Sequence, residues 1–169
     1  MPTNSANPGR VASRDIQACT AGSATRSMGA FSHRCADKLV AGEVTCEEAD
    51  YSALYRHADK LDTLTRKLGL TPFQSLCDLT DVRFNMDQLK LPEGMTSTTE
   101  LMAVQGAWVD TTQAVTMLQS LRQHIVDHKV RFGLLSNQHD EVVQELGAAL
   151  AFAKTQVATA PKFNFVVVM

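Results

Sequence analysis

The chain closes on Phe163-Asn164-Phe165-Val166-Val167-Val168, an aromatic and β-branched run just after Pro161 that reads as a strand. A strand cannot stand alone, because its backbone donors and acceptors need partners. The chain must therefore supply a second extended segment, from residues 73–86, from Val130–Leu135, or from another copy of itself. Val130–Leu135 (Val-Arg-Phe-Gly-Leu-Leu) is the best internal candidate, and it predicts a small antiparallel patch covered by helices. Without an internal partner, the exposed edge becomes a homodimer contact through the C-terminal strand.

The rest of the ordered sequence carries helical periodicity. Tyr51, Leu54, Ala58, Leu61, Leu64 and Leu68 recur three or four apart and fall on one helix face. Thr45 is the expected N-cap, with Glu47 and Glu48 in the first turn. Arg66 and Lys67 suit the last turn, Gly69 suits the residue just past the end, and Pro72 forbids continuation. A second helix opens at Asp110, with Gln113 completing a capping box and Val109 stapling onto Ala114. Its stripe is Ala114, Leu118, Leu121, Ile125 and His128. A third opens at Ser136 or Asn137 and runs along Val142, Val143, Leu146, Ala149, Leu150, Ala153 and Val157 until Pro161. Residues 70–107 are less regular. Phe73, Leu76, Cys77 and Leu79 suggest a short buried turn or strand, and Thr96–Thr99 can open a short helix ended by Gly106. The alternation from Asp81 to Asp87 fits a strand in period only, since Asp and Asn are poor strand formers. The fold class expected is mainly α within α+β: three main helices with a small C-terminal β element.

Composition changes near Cys46. Residues 1–46 are rich in Ser, Ala, Thr, Gly and Arg and poor in large apolar side chains, too few to offset the entropy of ordering. That segment holds five basic and three acidic residues, against eleven and fifteen in 47–169, so a charge of +2 faces one of −4. A poorly structured N-terminal segment (1–46) followed by a single helical domain (47–169) is the organisation expected. The Ser/Arg bias would suit a transit peptide, but no amphipathic stripe precedes Phe31. A start assigned too far upstream, with Met28 the true start, is the other explanation.

Charge and cysteine usage narrow the function classes. A formal net charge of −2 and a pI near 6.2 give no basic face for nucleic acid and no attraction to anionic membranes. No apolar run approaches the roughly 20 residues of a membrane span. Cys19, Cys35, Cys46 and Cys77 include no Cys-x-x-Cys pair, and no apolar leader precedes them. The thiols are expected to be reduced and the compartment cytoplasmic. Spacings of 16 and 11 residues between the first three match no zinc knuckle.

The stretch from Tyr51 to Met86, Trp108-Val109-Asp110 at a helix start, and the closing Lys-Phe-Asn-Phe-Val-Val-Val-Met together resemble a loosely defined group of small bacterial proteins without assigned activity. The resemblance spans residues 47–169 and implies a soluble cytoplasmic protein, with no catalytic residues to carry over.

The sharpest chemical pattern is His124-Ile-Val-Asp127-His128, two histidines one helical turn apart that could share a zinc ion. It approaches the inverted zincin motif with Asp127 where a glutamate would act as general base. A third ligand would come from His139, Asp140, Glu141 or Glu145. The ordinary reading makes His128 a half-buried stripe residue and His124 a surface one. Cys77, beside Asp78, lacks the cation that activates a nucleophilic thiol and reads as a buried structural cysteine. His57 and Asp59 flank the first stripe and face water. Asp78, Asp81 and Asp87 lack calcium-loop spacing and form a solvated loop or a face for a basic protein partner. Trp108, the sole tryptophan, is a core or staple residue on the ordinary reading and a partner anchor on the other. No phosphate loop or other cofactor motif is present. The function expected is a protein-binding or regulatory module without catalysis, the alternative being a metal-dependent hydrolase built on His124 and His128.

Overall fold

The computed structural model describes residues 15–21, 44–46, 49–87 and 90–168. The C-terminal run is a strand, β5 (Lys162–Val168), and it lies inside the sheet. β1 (Asp15–Ala21) runs antiparallel along one whole edge of it, from Asp15 opposite Val168 to Ala21 opposite Lys162. β2 (Val44–Cys46) adds antiparallel to the outer side of β1. On the other edge of β5, β3 (Cys77–Asp78) pairs in parallel with Phe165 and Val166. Beside it β4 (Val109–Asp110) pairs antiparallel with Phe163 and Lys162.

Three expectations change here. The expected partner around Val130–Leu135 is a loop, and of the stretch 73–86 only Cys77 and Asp78 pair with β5. Among the described residues β5 is paired by β1 on one side and by β3 and β4 on the other. Within the segment 1–46, expected to be poorly structured, residues 15–21 and 44–46 are strands; its other residues lie outside the described ones. β1 has Ile16 as its one large apolar residue, and all seven of its residues pair with β5. Cys19 and Cys46, opposite one another on β1 and β2, form a disulfide, so this pair is not reduced as expected.

Six α-helices occur among the described residues, where three main ones were expected. The first expected helix is two, α1 (Ser52–Arg56) and α2 (Ala58–Lys67), with His57 out of helical geometry between them. Thr45 does not cap it, being part of β2. The cap comes from elsewhere: the Glu145 carboxylate accepts bonds from the Ala53 and Leu54 amides at 3.1 and 2.9 Å. At the other end Gly69 takes φ +67, with Gly69 N–H bonded to Arg66 O and Leu70 N–H to Thr65 O, a Schellman closure. A 3₁₀ turn (Phe73–Leu76) follows, then α3 (Thr80–Met86), where strand-like alternation had been weighed. α4 (Thr98–Gln105) is capped by Ser97, whose side chain accepts the Glu100 amide. α5 (Thr111–Asp127) starts at Asp110 as expected, its carboxylate accepting the Thr112 and Gln113 amides. α6 (His139–Gln156) starts two to three residues later than expected. Asn137 does not cap it, because its side-chain oxygen accepts the Phe132 amide.

β5 is buried on both faces, which explains why its sequence is a continuous apolar run. Phe163, Phe165 and Val167, with Ala18 of β1, pack against α1, α2, α5 and α6 in the main core. Phe165 sits at its centre, 5.7 Å from Tyr51, 5.6 Å from Phe73 and 5.2 Å from Phe163 between ring centroids. On the opposite face Cys19 and Val166 meet Met102 of α4, with Val44, Trp108 and Val168 around them. Among the described residues, no helix is long and apolar enough to cross a membrane.

Candidate functional site

The loop between α5 and α6 combines a fixed base with an exposed apolar tip. α5 ends in a second Schellman closure, Lys129 N–H to Val126 O and Val130 N–H to Ile125 O, with Lys129 in left-handed geometry at φ 46. The loop then turns inward to bury Phe132 completely. The Phe132 amide donates to Asn137 Oδ1 at 2.9 Å, and its carbonyl accepts the Gln138 amide at 2.8 Å. His57 stacks obliquely on the Phe132 ring at 5.2 Å, and the Lys60 ammonium lies over it while bonding to the Arg131 carbonyl. His139 Nδ1 lies 2.8 Å from the Val130 carbonyl. Beyond this base the chain projects outward. Gly133 has φ +92, and a Cβ on it would lie 2.4 Å from the Ser136 carbonyl oxygen, so the turn requires glycine. Leu134 and Leu135, next along, are 98% and 104% exposed. The two leucines form a small apolar patch open to water on a loop whose base is held in place. The sequence read the pair as strand; the Gly before it and the Ser after it were the loop signal.

The three aspartates expected to share a face do not. Asp78 is buried, at 3% exposure, and is a structural hub. One carboxylate oxygen accepts the Thr80 amide at 2.9 Å, and the other accepts the Thr80 hydroxyl and the Ala107 amide at 3.1 and 2.6 Å. Asp81 is half-buried and ties α3 to α4 by accepting the Thr98 hydroxyl at 2.7 Å. Only Asp87, just past α3, is exposed. Trp108 is half-buried beside Met102 and Val166, its indole N–H donating to the Met102 carbonyl at 3.0 Å, as a core residue would.

His124 and His128 do come together on α5, with ring centroids 4.1 Å apart in a stack. Their roles are the reverse of those expected: His128 is exposed, off the apolar stripe, and His124 is half-buried. Met117 joins Ala114, Leu118, Leu121 and Ile125 in the stripe. Of the four residues offered as a third ligand, His139 meets the Val130 carbonyl and Glu145 caps α1, while Asp140 and Glu141 are exposed in the first turn of α6. Among the described residues no group of three His, Cys, Asp or Glu side chains is placed to hold a metal. The Cys77 thiol is pushed up to about 12 by burial first and by the Asp62 and Asp78 charges after it, leaving it protonated at neutral pH.

Glu145 and Asp62 matter without facing any cleft. Asp62, buried on α2, accepts Arg66 Nε at 2.6 Å and the Gln74 amide at 3.0 Å, and so pins the 3₁₀ turn. Burial works against its charge, but the Arg66 and Gln74 bonds outweigh it and its carboxyl is held below the usual value. Glu145 goes the other way. Burial raises it more than the Leu54 and Ala53 amides lower it.

No known family model, curated protein or solved structure matches the chain, so the resemblance to small bacterial proteins has no relative beside it.

Proposed function

We propose that this protein is a non-catalytic binding module that engages a protein partner through the Leu134–Leu135 tip. The observation that carries the reading is the near-total exposure of both leucines on a loop whose base is fixed by Phe132, Asn137, Lys60 and His57. A fixed base means that little ordering entropy is lost on docking. Burying both side chains in an apolar groove of a partner would yield roughly 3–6 kcal/mol. The surrounding charges are mixed, with Lys129 and Arg131 on one side and Asp140 and Glu141 on the other, as at a protein–protein rim. The acidic-face reading gives way to this one because Asp78 is interior. The hydrolase reading retains only the stacked His124 and His128, with no assembled ligand set among the described residues.

The test is a photo-crosslinking residue at Ser136, in wild-type protein and in the Leu134→Asp, Leu135→Asp double variant. The expected result is a discrete adduct with one cellular protein for the wild type, lost in the double variant. Thermal stability should stay within about 0.5 kcal/mol, since neither side chain has packing to lose. An adduct that survives the double substitution, or none with the wild type, overturns the reading.

The Cys19–Cys46 bond bears on the compartment. Permanent disulfides belong to oxidising compartments, whereas those in the cytoplasm are transient or redox-sensing. The cytoplasmic setting suggested by the sequence therefore requires that this bridge be exchangeable.

A further inference from the structure

The disulfide sits in an asymmetric environment. Cys19, on β1, is fully buried against Met102 and Val166. Cys46 is exposed, on an edge strand of three residues paired to the sheet through β1. A thiolate from solvent meets the bridge at Cys46. A cavity of about 50 Å³, lined in part by Cys46, Met102, Val166, Thr98 and Gln17, adjoins it and leaves room for the sulfurs to part.

A second observation bears on the other sulfur. Asn164 of β5 stands directly opposite Cys19 in the β1–β5 register, on the same face of the sheet. It is fully buried, and its side-chain N–H donates to the Ala107 carbonyl at 3.0 Å, which fixes the orientation of the amide. Its Oδ1 has no hydrogen-bond partner among the described residues. A buried acceptor left unpaired is costly. Side chains directly opposite in an antiparallel pair have Cβ atoms about 5 Å apart, within reach of one another. A disulfide sulfur carries no proton, but a Cys19 thiol does. Reduction thus creates a donor opposite the orphaned oxygen, and oxidation removes it.

We propose that Cys19–Cys46 is a redox-exchangeable bridge, opened by a dithiol reductant at the exposed Cys46 and held open by a Cys19 thiol donating to Asn164 Oδ1. One thiolate of the dithiol attacks Cys46 Sγ, forming a mixed disulfide as the Cys19–Cys46 bond breaks. Cys19 leaves with the bonding pair and takes a proton. The second thiolate of the dithiol then attacks its partner sulfur in the mixed disulfide, and Cys46 leaves and is protonated in turn. The dithiol ends as a cyclic disulfide, its two electrons and two protons now on Cys19 and Cys46. β2 is left with three residue pairs to β1 and can separate, uncovering the Met102–Val166 face.

The experiment equilibrates the full chain, carrying Cys35→Ser to prevent shuffling, in graded mixtures of reduced and oxidised dithiothreitol. The 19–46 bridge is quantified by peptide mass mapping, and amide exchange is followed in parallel. The bridge should open reversibly while the protein stays folded, with protection falling at 44–46 and 98–105 and persisting at 162–168. In Asn164→Leu the exchange equilibrium should move toward the bridge about fivefold, the worth of one hydrogen bond. A bridge that yields only on global unfolding overturns the proposal, as does an unchanged equilibrium in Asn164→Leu. Should that variant fail to fold, Cys19→Ser,Cys46→Ser is compared with Cys19→Ala,Cys46→Ser. A hydroxyl that reaches Asn164 makes the serine form about fivefold more stable in its folding constant. A less stable serine form means that no donor at position 19 reaches that oxygen, and the proposal fails.

Discussion

Single residues in this protein act through what they bond, and their type alone misleads about it. Asp78 and Asp87 look alike in sequence, yet one is an interior acceptor for Thr80 and Ala107 and the other is solvated. Asp78→Ala should cost about 2–4 kcal/mol, since it removes the buried acceptor of three hydrogen bonds that tie Thr80 and Ala107 together. Asp87→Ala should stay within about 0.5 kcal/mol. Urea unfolding of the two variants compares them directly, and equal losses would mean that Asp78 is not the hub described. Asp62 and Glu145 make opposite contributions to pH dependence. The Asp62 carboxyl is lowered on folding from its usual 3.8, so its contribution is complete above that value and is lost as pH falls through the lower folded value. The Glu145 carboxyl is raised from 4.5, so its contribution is complete below 4.5 and is lost as pH rises through the folded value. In thermal melts across pH, Asp62→Asn should weaken the acid-side loss of stability. Glu145→Gln should remove a decline that the wild type shows as pH rises past 4.5.

Elements here are bounded by chemistry that is partly local and partly borrowed. Both Schellman closures are local, but they differ in the residue that takes the left-handed position. Gly69 adopts it freely, whereas Lys129 carries a strained φ of 46. Lys129→Gly should raise stability by about 0.5–1 kcal/mol, the relief of that strain less the entropy that glycine adds to the unfolded chain. A differential scanning melt that moves down would show that the Lys129 side chain contributes more than its backbone costs. The start of α1 is borrowed: a carboxylate 92 positions away accepts its first amides. No window of sequence around Tyr51 contains that information.

At the scale of the whole molecule, the sheet is assembled from the two ends of the chain. β5 pairs with β1 across about 145 residues of sequence, and every residue of β1 has a partner on it. A fragment comprising residues 47–169, the domain suggested by composition, lacks β1 and bares a full apolar strand edge. It should aggregate or lose cooperative unfolding, whereas the full chain unfolds in one transition. Light scattering and denaturant titration of the two proteins distinguish the outcomes; a monomeric, cooperatively folding 47–169 would show that β1 is dispensable.

By itself, the sequence determined the elements whose signals are local. The Asp110 cap of α5, Gly69 past the end of α2, the stripe of α6 and the extended C-terminus all follow from side chains within a few residues of each other. It also suggested a protonated Cys77 thiol from the neighbouring Asp78, although burial is the main cause of the raised value and Asp62 and Asp78 add to it. Tertiary structure alone decided what those elements meet. β1 is too poor in apolar bulk to announce itself, and its pairing energy resides in backbone bonds to β5 that carry no side-chain signature. Whether Asp78 is wet or buried, whether Leu134 and Leu135 pair or project, and whether Cys19 meets Cys46 depends on contacts between distant segments. The candidate tip was legible only as a Gly-Leu-Leu-Ser stretch, since exposure is a property of what the rest of the chain leaves uncovered.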